Sequence, residues 1–270
     1  MIDFKRITSK SDLYNFHSHT QYCDGRANIA AFARAAVDAG FAHYGFSPHS
    51  PIHIDSPCNM SANDVATYLD EVNRIKALYA DTPTRFYAAM EIDFLDNDHG
   101  PSSPYYQSIP LDYRIGSVHF IPSQDGRMID VDGRFESFRK KMEQYFRNDI
   151  RYVVNTFIDQ SISMIRLGGF DIIGHYDKIS HNAAHFLPGI EEQKWFIDRI
   201  DQLTDEVIAS GLTVEINTKA RTDHHRFFPH QRHWKRLKDA GVTLIVNSDA
   251  HDPEKINASR SEALSLLRSI

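Results

Sequence analysis

Cysteine is nearly absent from this 270-residue chain. Cys23 and Cys58 are the only two, and their spacing fits neither a zinc ribbon nor a disulfide framework. Their scarcity also argues against a thiolate metal site. Long apolar runs are missing too, since no stretch approaches the roughly 20 residues needed to span a bilayer. The first segment, Met1 to Ser11, is polar and charged and lacks the apolar core of a secretory signal. There is no basic excess either. With 30 Lys and Arg against 36 Asp and Glu the net charge is −6, which excludes a general attraction to nucleic acid or to an anionic membrane. No low-complexity run, composition break or linker divides the chain. The expectation is a single domain over residues 1–270, reduced and cytoplasmic, long enough to bury a core without cross-links.

Short apolar runs alternate with longer segments of helical period. Strands are expected at Leu13–His17, His43–Ser47, Phe86–Glu91, Tyr113–Val118, Phe170–Gly174, Leu212–Asn217 and Val242–Asn247. Helices are expected at Ile29–Ala39, Ala62–Tyr79, Arg134–Leu167 (broken), Ile190–Ser210, Gln231–Ala240 and Pro253–Arg268. The segment Leu95–Leu111, rich in Pro, Ser and Tyr, reads as a loop insertion. Alternating strands and helices favour an α/β fold with a parallel sheet. Periodicity alone leaves an open doubly wound sheet and a closed barrel both standing.

Fifteen histidines are the conspicuous excess, and their placement is ordered. The first strand runs into His17 and His19, and the second into His49. The third ends at Glu91, the fourth at His119 and the fifth at His175. The sixth ends with Glu215 and Asn217, and the seventh leads to Asp249 and His251. Metal-binding or hydrogen-bonding groups thus sit at one end of all seven strands, the end where an α/β barrel gathers its catalytic groups. In His17-x-His19 and Asp249-x-His251, residues two apart on an extended chain point to the same side and can face one cavity. With Asp24, nine residues are candidate ligands: His17, His19, Asp24, His49, Glu91, His119, His175, Asp249 and His251. Imidazole with carboxylate suits zinc, manganese or iron. Nine ligands exceed what one ion takes, which points to two or three ions with open positions of the catalytic type. His99, His181, His185, His224, His225, His230 and His233 fit loop or helix-surface positions.

These segments resemble a known family. "NFHSHTQYCDG" (Asn15–Gly25), "GFSPHSP" (Gly45–Pro51), "EIDF" (Glu91–Phe94), "DYRIGSVHF" (Asp112–Phe120), "FDIIGHYD" (Phe170–Asp177), "EINT" (Glu215–Thr218) and "NSDAH" (Asn247–His251) occur in the order of the PHP (polymerase and histidinol phosphatase) superfamily. The resemblance is to its histidinol-phosphatase branch. It implies a distorted (β/α)7 TIM-like barrel holding two or three divalent ions (Zn, Mn or Fe). By motif, one ion takes His17, His19, Glu91 and Asp249. A second shares Glu91 and adds His119 and His175, and a third takes Asp24, His49 and His251. Some relatives carry His in place of Asp24. The implied reaction is hydrolysis of L-histidinol phosphate to L-histidinol and phosphate in histidine biosynthesis, by attack of a hydroxide held between two ions. Glu91 and Asp249 are the implied catalytic ligands, and Arg221, after "EINT", matches the family's phosphate-binding arginine. Asp177 and His225 are candidates for substrate contact and for protonating the leaving oxygen. The implied partner is a small phosphate ester, with no role for nucleic acid or membrane. Two alternatives stay open: another phosphomonoester or phosphotyrosine as substrate, or a metal-stabilised interaction domain without turnover.

Overall fold

A computed structural model describes residues 2–270. Seven strands lie side by side, every neighbouring pair parallel. They are β1 (Tyr14–Asn15), β2 (His43–Phe46), β3 (Arg85–Asp93), β4 (Tyr113–Ser117), β7 (Ile172–Ile173), β8 (Thr213–Asn217) and β9 (Leu244–Asn247). The intervening β5 (Phe120–Pro122) and β6 (Met128–Asp130) form an antiparallel hairpin outside the sheet. The two edges of the sheet meet just beyond β1 and β9, where a parallel bridge joins Ser18 to Ala250 and the His19 amide donates to the Ala250 carbonyl at 2.9 Å. That closure decides what periodicity left open. The sheet is a distorted, nearly closed barrel of the TIM-like (β/α)7 kind.

Helices cover its outside: α2 (Ile29–Asp38), α3 (Val65–Leu78), α5 (Phe135–Phe146), α6 (Ile150–Leu167), α8 (Lys194–Ser210), α10 (Trp234–Asp239) and α11 (Arg260–Ser269). The expected break in Arg134–Leu167 falls at Arg147 and Asn148, both left-handed, with φ of 51° and 59°. Helix α8 stops at Gly211, whose φ of 70° a residue with a Cβ rarely adopts, and the chain turns straight into β8. Among the described residues no helix is long and apolar enough to cross a membrane.

The period of two along the strands sets the layers. On β3, Phe86, Ala88, Met90 and Ile92 face outward into the core shared with α2 and α3. Tyr87 and Ala89 face inward, packing with Tyr14, Phe16, Tyr113, Ile115, Ile172 and Ile245 as the barrel's apolar floor. Glu91 and Asp93 continue that inward face toward the mouth. Tyr113 crosses the floor to donate to the Phe16 carbonyl, and a Cβ on Gly45 would lie 1.8 Å from its hydroxyl. Gly45 is therefore a steric requirement of the barrel interior.

Five pieces depart from the sequence expectation. A short helix α1 (Phe4–Lys10) closes the floor from below, with Phe4 edge-on to Phe16 at 5.0 Å. The segment 95–111 contains a helical turn, α4 (Pro104–Ser108). The β5–β6 hairpin and the helices α7 (Ile179–Phe186) and α9 (Arg221–His224) were read as connections. The hairpin and α7 prove to frame one wall of the mouth.

Candidate metal centre

The organising group of the mouth is Glu91, 1% exposed on the inward face of β3. Five imidazoles reach its carboxylate. Oε2 has His17 Nε2 at 3.3 Å, His19 Nε2 at 3.5 Å and His49 Nδ1 at 3.2 Å. Oε1 has His175 Nε2 at 2.8 Å and His119 Nε2 at 3.5 Å. The remaining ligand candidates complete three overlapping groups. His17 and His19 bring their Nε2 atoms within 3.1 Å of each other, and Asp249 Oδ1 lies 3.0 Å from that of His19. His119 and His175 face each other through Nε2 at 3.4 Å. Asp24 Oδ1 stands 3.2 Å from His251 Nε2, 3.6 Å from His19 Nδ1 and 4.0 Å from His49 Nε2. All nine candidates named from the sequence are brought together.

One geometric inference needs correcting. Asp249 and His251 do not share a side because the chain is extended there. Asp249 has φ 49°, the left-handed region that Asp tolerates better than most residues, and this turn swings both side chains back over the mouth. His251 Nδ1 then meets the Asp249 carbonyl at 3.0 Å, leaving Nε2 toward Asp24.

Outer partners orient these rings. Glu215, fully buried, accepts from His17 Nδ1 at 2.7 Å, and Asp93 takes His119 Nδ1 at the same distance. Each carboxylate fixes the tautomer that turns Nε2 inward, the outer-shell arrangement usual behind metal-binding histidines. Asp93 could have been found from sequence, since it lies two residues beyond Glu91 on the same strand face. Charge follows geometry. Burial pushes the Glu91 carboxyl up, but His17, His119 and His49 outweigh it and hold the group well below its ordinary range. Burial likewise opposes a charged His17, yet Glu215, Glu91 and Asp249 hold its pKa well above 6.5.

Divalent cations fit this cage. Asp24 Oδ1 and His49 Nδ1 are buried without a hydrogen-bond partner. Two pairs of imidazole nitrogens face each other nose to nose, an arrangement that a shared proton serves poorly and a cation serves well. Four groups of three or four ligand atoms within this cage lie close enough together to hold an ion. A His53, Asp96 and His99 group lies apart from the cage, all three exposed.

A cavity of about 600 Å³ opens over the cage. Its wall carries Lys178, Lys219 and Lys141 beside Asp55, Asp130 and Asp132. Lys219 Nζ reaches Asp249 Oδ1 at 3.3 Å and His251 Nε2 at 3.1 Å. The residues taken from sequence for substrate contact lie elsewhere. Arg221 is held by Glu262, donating to both carboxylate oxygens, and sits over the Phe227 ring at 5.1 Å, off the cavity wall. Asp177 is buried behind the wall, accepting from the His230 amide at 2.9 Å, and burial pushes its carboxyl up to about 6. His225 is an exposed helix cap with φ 53°. The cations that do face the cage, Lys178 and Lys219, follow "GHYD" and "EINT" directly, and no spacing rule marks them.

The sequence profile of the PHP domain matches residues 15–219, three-quarters of the chain and all but two of the cage residues. The chain belongs to the PHP family. A relative from Deinococcus radiodurans, named probable histidinol-phosphatase, is 23% identical over 268 residues, 96% of this chain and 94% of that protein. Two solved structures share the fold at lower identity. A candidate histidinol phosphatase from Listeria monocytogenes superposes with a TM-score of 0.81 at 17% identity, covering 92% of this chain and 99% of that one. A histidinol phosphate phosphatase from Lactococcus lactis subsp. lactis, crystallised with zinc, L-histidinol and phosphate, gives 0.71 at 19%, covering 95% and 92%. As a PHP protein the chain carries an open cage of nitrogen and oxygen ligands of the kind that suits divalent cations.

Proposed function

We propose that the chain hydrolyses L-histidinol phosphate to L-histidinol and phosphate, the phosphatase step of histidine biosynthesis. The observation that carries this reading is one buried carboxylate, Glu91, met by five imidazoles beneath a cavity lined by lysines. The Lactococcus lactis neighbour, bound to both products of that reaction, supplies the substrate. His17, His19, Glu91 and Asp249 would hold one ion. Glu91, His119 and His175 would hold a second, and Asp24, His49 and His251 a third. Zinc, manganese and iron all suit these donors. Divalent ions so held lower the pKa of coordinated water toward about 7 and offset charge building on phosphoryl oxygens.

The protein's own groups do the rest. Lys178 and Lys219 bind phosphoryl oxygens from the cavity wall, compact cations suited to a dianion. Glu215 and Asp93 hold His17 and His119 in register through their Nδ1 protons. Lys219→Ala is expected to lower kcat/KM about thirtyfold, the effect of losing one hydrogen bond to a charged group. Arg221→Ala, whose guanidinium is engaged with Glu262, is expected to stay within about threefold of wild type in the same phosphate-release assay.

The reading is tested by phosphate release from histidinol phosphate. The zinc- or manganese-loaded protein should turn over, lose activity on chelation and regain it on metal return. Full metal occupancy with no release would overturn it. Metal uptake carries its own signature. Burial opposes protonation of His119, but Asp93 and Glu91 raise its pKa to about 9, and His17 is also raised. His119 is therefore protonated at pH 7 in the metal-free protein and must lose that proton to bind an ion. Loading should release protons and tighten as pH rises toward 9. Calorimetry in two buffers of different ionisation enthalpy measures this, and identical heats in both would contradict it.

A further inference from the structure

We infer that Asp132 and Lys178 form a paired subsite selecting phosphate monoesters of vicinal amino alcohols, Asp132 receiving the substrate ammonium and Lys178 the adjoining phosphate. The inference rests on the phosphatase reading above and assigns the residues that recognise the substrate's amine.

The pair lines the catalytic cavity with Lys178 Nζ 2.6 Å from Asp132 Oδ2 and side chains 15% and 31% exposed. An ion pair open to a water-filled cavity adds little to fold stability. Its frame is nevertheless rigid. Asn182 on α7, one helical turn beyond Lys178, donates to the carbonyls of Val131 and Gly133, the two residues that flank Asp132, at 3.3 and 3.4 Å. The Val131 amide donates to the His119 carbonyl at 2.8 Å, and the Asp132 amide to Asp130 Oδ1 at 2.8 Å. Asp132 is thus fixed both to the element carrying Lys178 and to the strand end carrying His119. A carboxylate and an ammonium are held ready beside the cage, as a preorganised binding site requires.

The direction of the pair follows from what each end senses. Both line the cavity over the cage, where the Lys178 ammonium attracts a phosphate dianion and the Asp132 carboxylate repels it. A phosphate at the cage therefore meets Lys178. In a vicinal amino alcohol phosphate the ammonium stands two carbons and one oxygen from phosphorus. Such a compact zwitterion can lie head to tail along the pair, with each charge meeting its opposite. One protein ion pair is exchanged for two, one at each end. Histidinol phosphate has this arrangement, and its imidazole is left to Phe120, Met128 and Tyr145 on the same wall. Asp55 and Asp130, also facing the cavity, disfavour esters that carry a second anionic group.

The test compares L-histidinol phosphate with its deaminated analogue, imidazolylpropyl phosphate, on the zinc-loaded enzyme. Wild type should prefer the amine-bearing ester about thirtyfold in kcat/KM, the effect of one hydrogen bond between charged groups. Asp132→Asn should shrink that preference to about threefold, mostly through KM, because the neutral amide still offers an oxygen. Lys178→Gln should weaken both esters and keep the preference. A wild type indifferent to the amine overturns the inference. So does an Asp132→Asn variant that loses the same factor on both esters, since Asp132 would then only position Lys178. If wild type releases phosphate from neither ester, the phosphatase reading falls and calorimetric binding of L-histidinol against imidazolylpropanol decides the subsite. Tighter binding of the amine, lost in Asp132→Asn, supports it, and equal binding overturns it.

Discussion

Glu91→Gln is expected to reduce phosphate release by at least about a thousandfold, with the protein still folded. The substitution keeps the side chain's shape and removes its charge. Glu91 is the one group that touches both the His17 and His19 pair and the His119 and His175 pair, one carboxylate oxygen serving each. A neutral amide there offers one oxygen where two are used, and it turns an N–H₂ toward a ring nitrogen that must face a cation. Two metal positions are weakened at once, so metal content measured by mass spectrometry should fall together with turnover. The fold tolerates the change because the apolar floor and the outer helix layer lie below and outside the mouth. Wild-type turnover in this variant would end the metal-centred reading. A thousandfold loss with full metal content would reassign Glu91 from holding ions to handling substrate.

The barrel was legible because period-two strands and period-3.6 helices alternate along the chain, and because His, Asp and Glu recur at one end of each strand. Residues 86–92 show why the legibility is physical. The even positions must be apolar to meet α2 and α3, so the odd positions are free to climb from Tyr87 to Glu91. The closing contact was not legible, since it is a bridge of one residue on each side, Ser18 to Ala250, with no pattern of its own. Helix α1 escaped because a seven-residue segment with one buried side chain, Phe4, carries too little amphipathic signal.

In the site, residues whose type and place are both forced by chemistry could be read, and residues whose place depends on a loop could not. His119 at a strand end is such a forced position. Arg221 had the right type and the right neighbourhood, yet Glu262 on α11 draws it away from the cavity, and α11 is distant in sequence. Asp132 and Lys178 lie 46 residues apart and meet where Asn182 ties the segment after β6 to α7. No spacing rule encodes a contact built on two carbonyl acceptors.

Glu215→Ala is expected to cost the metal-free protein about 3–5 kcal/mol of stability, the range found when one partner of a buried charged pair is removed. Glu215 is fully buried and uses both oxygens twice: His17 Nδ1 and Asn247 Nδ2 on one at 2.7 and 3.0 Å, Asn217 Nδ2 and the His175 amide on the other at 3.1 and 3.2 Å. Alanine leaves all four donors facing a space closed off by their own elements, and it strips His17 of its nearest counter-charge. Glu215→Gln should cost less, about 1–3 kcal/mol, because one oxygen survives while its amide hydrogens oppose donors. The pH dependence has a definite sign. Burial raises the Glu215 carboxyl, but His17 outweighs it and holds the folded pKa below the ordinary glutamate value. Its contribution is therefore present above about pH 4.5 and fades as pH falls through the folded value. His17, raised in the folded state, contributes below its ordinary 6.5 and loses that contribution only as pH rises through its higher folded value. The gap between wild type and Glu215→Ala should form a plateau across roughly pH 5–7, where both partners are charged, and narrow on the acid side. Urea unfolding of the two metal-free proteins at several pH values measures that gap. A difference below about 1 kcal/mol at pH 6 would mean that the four donors find other partners, and that Glu215 does not hold His17 in place.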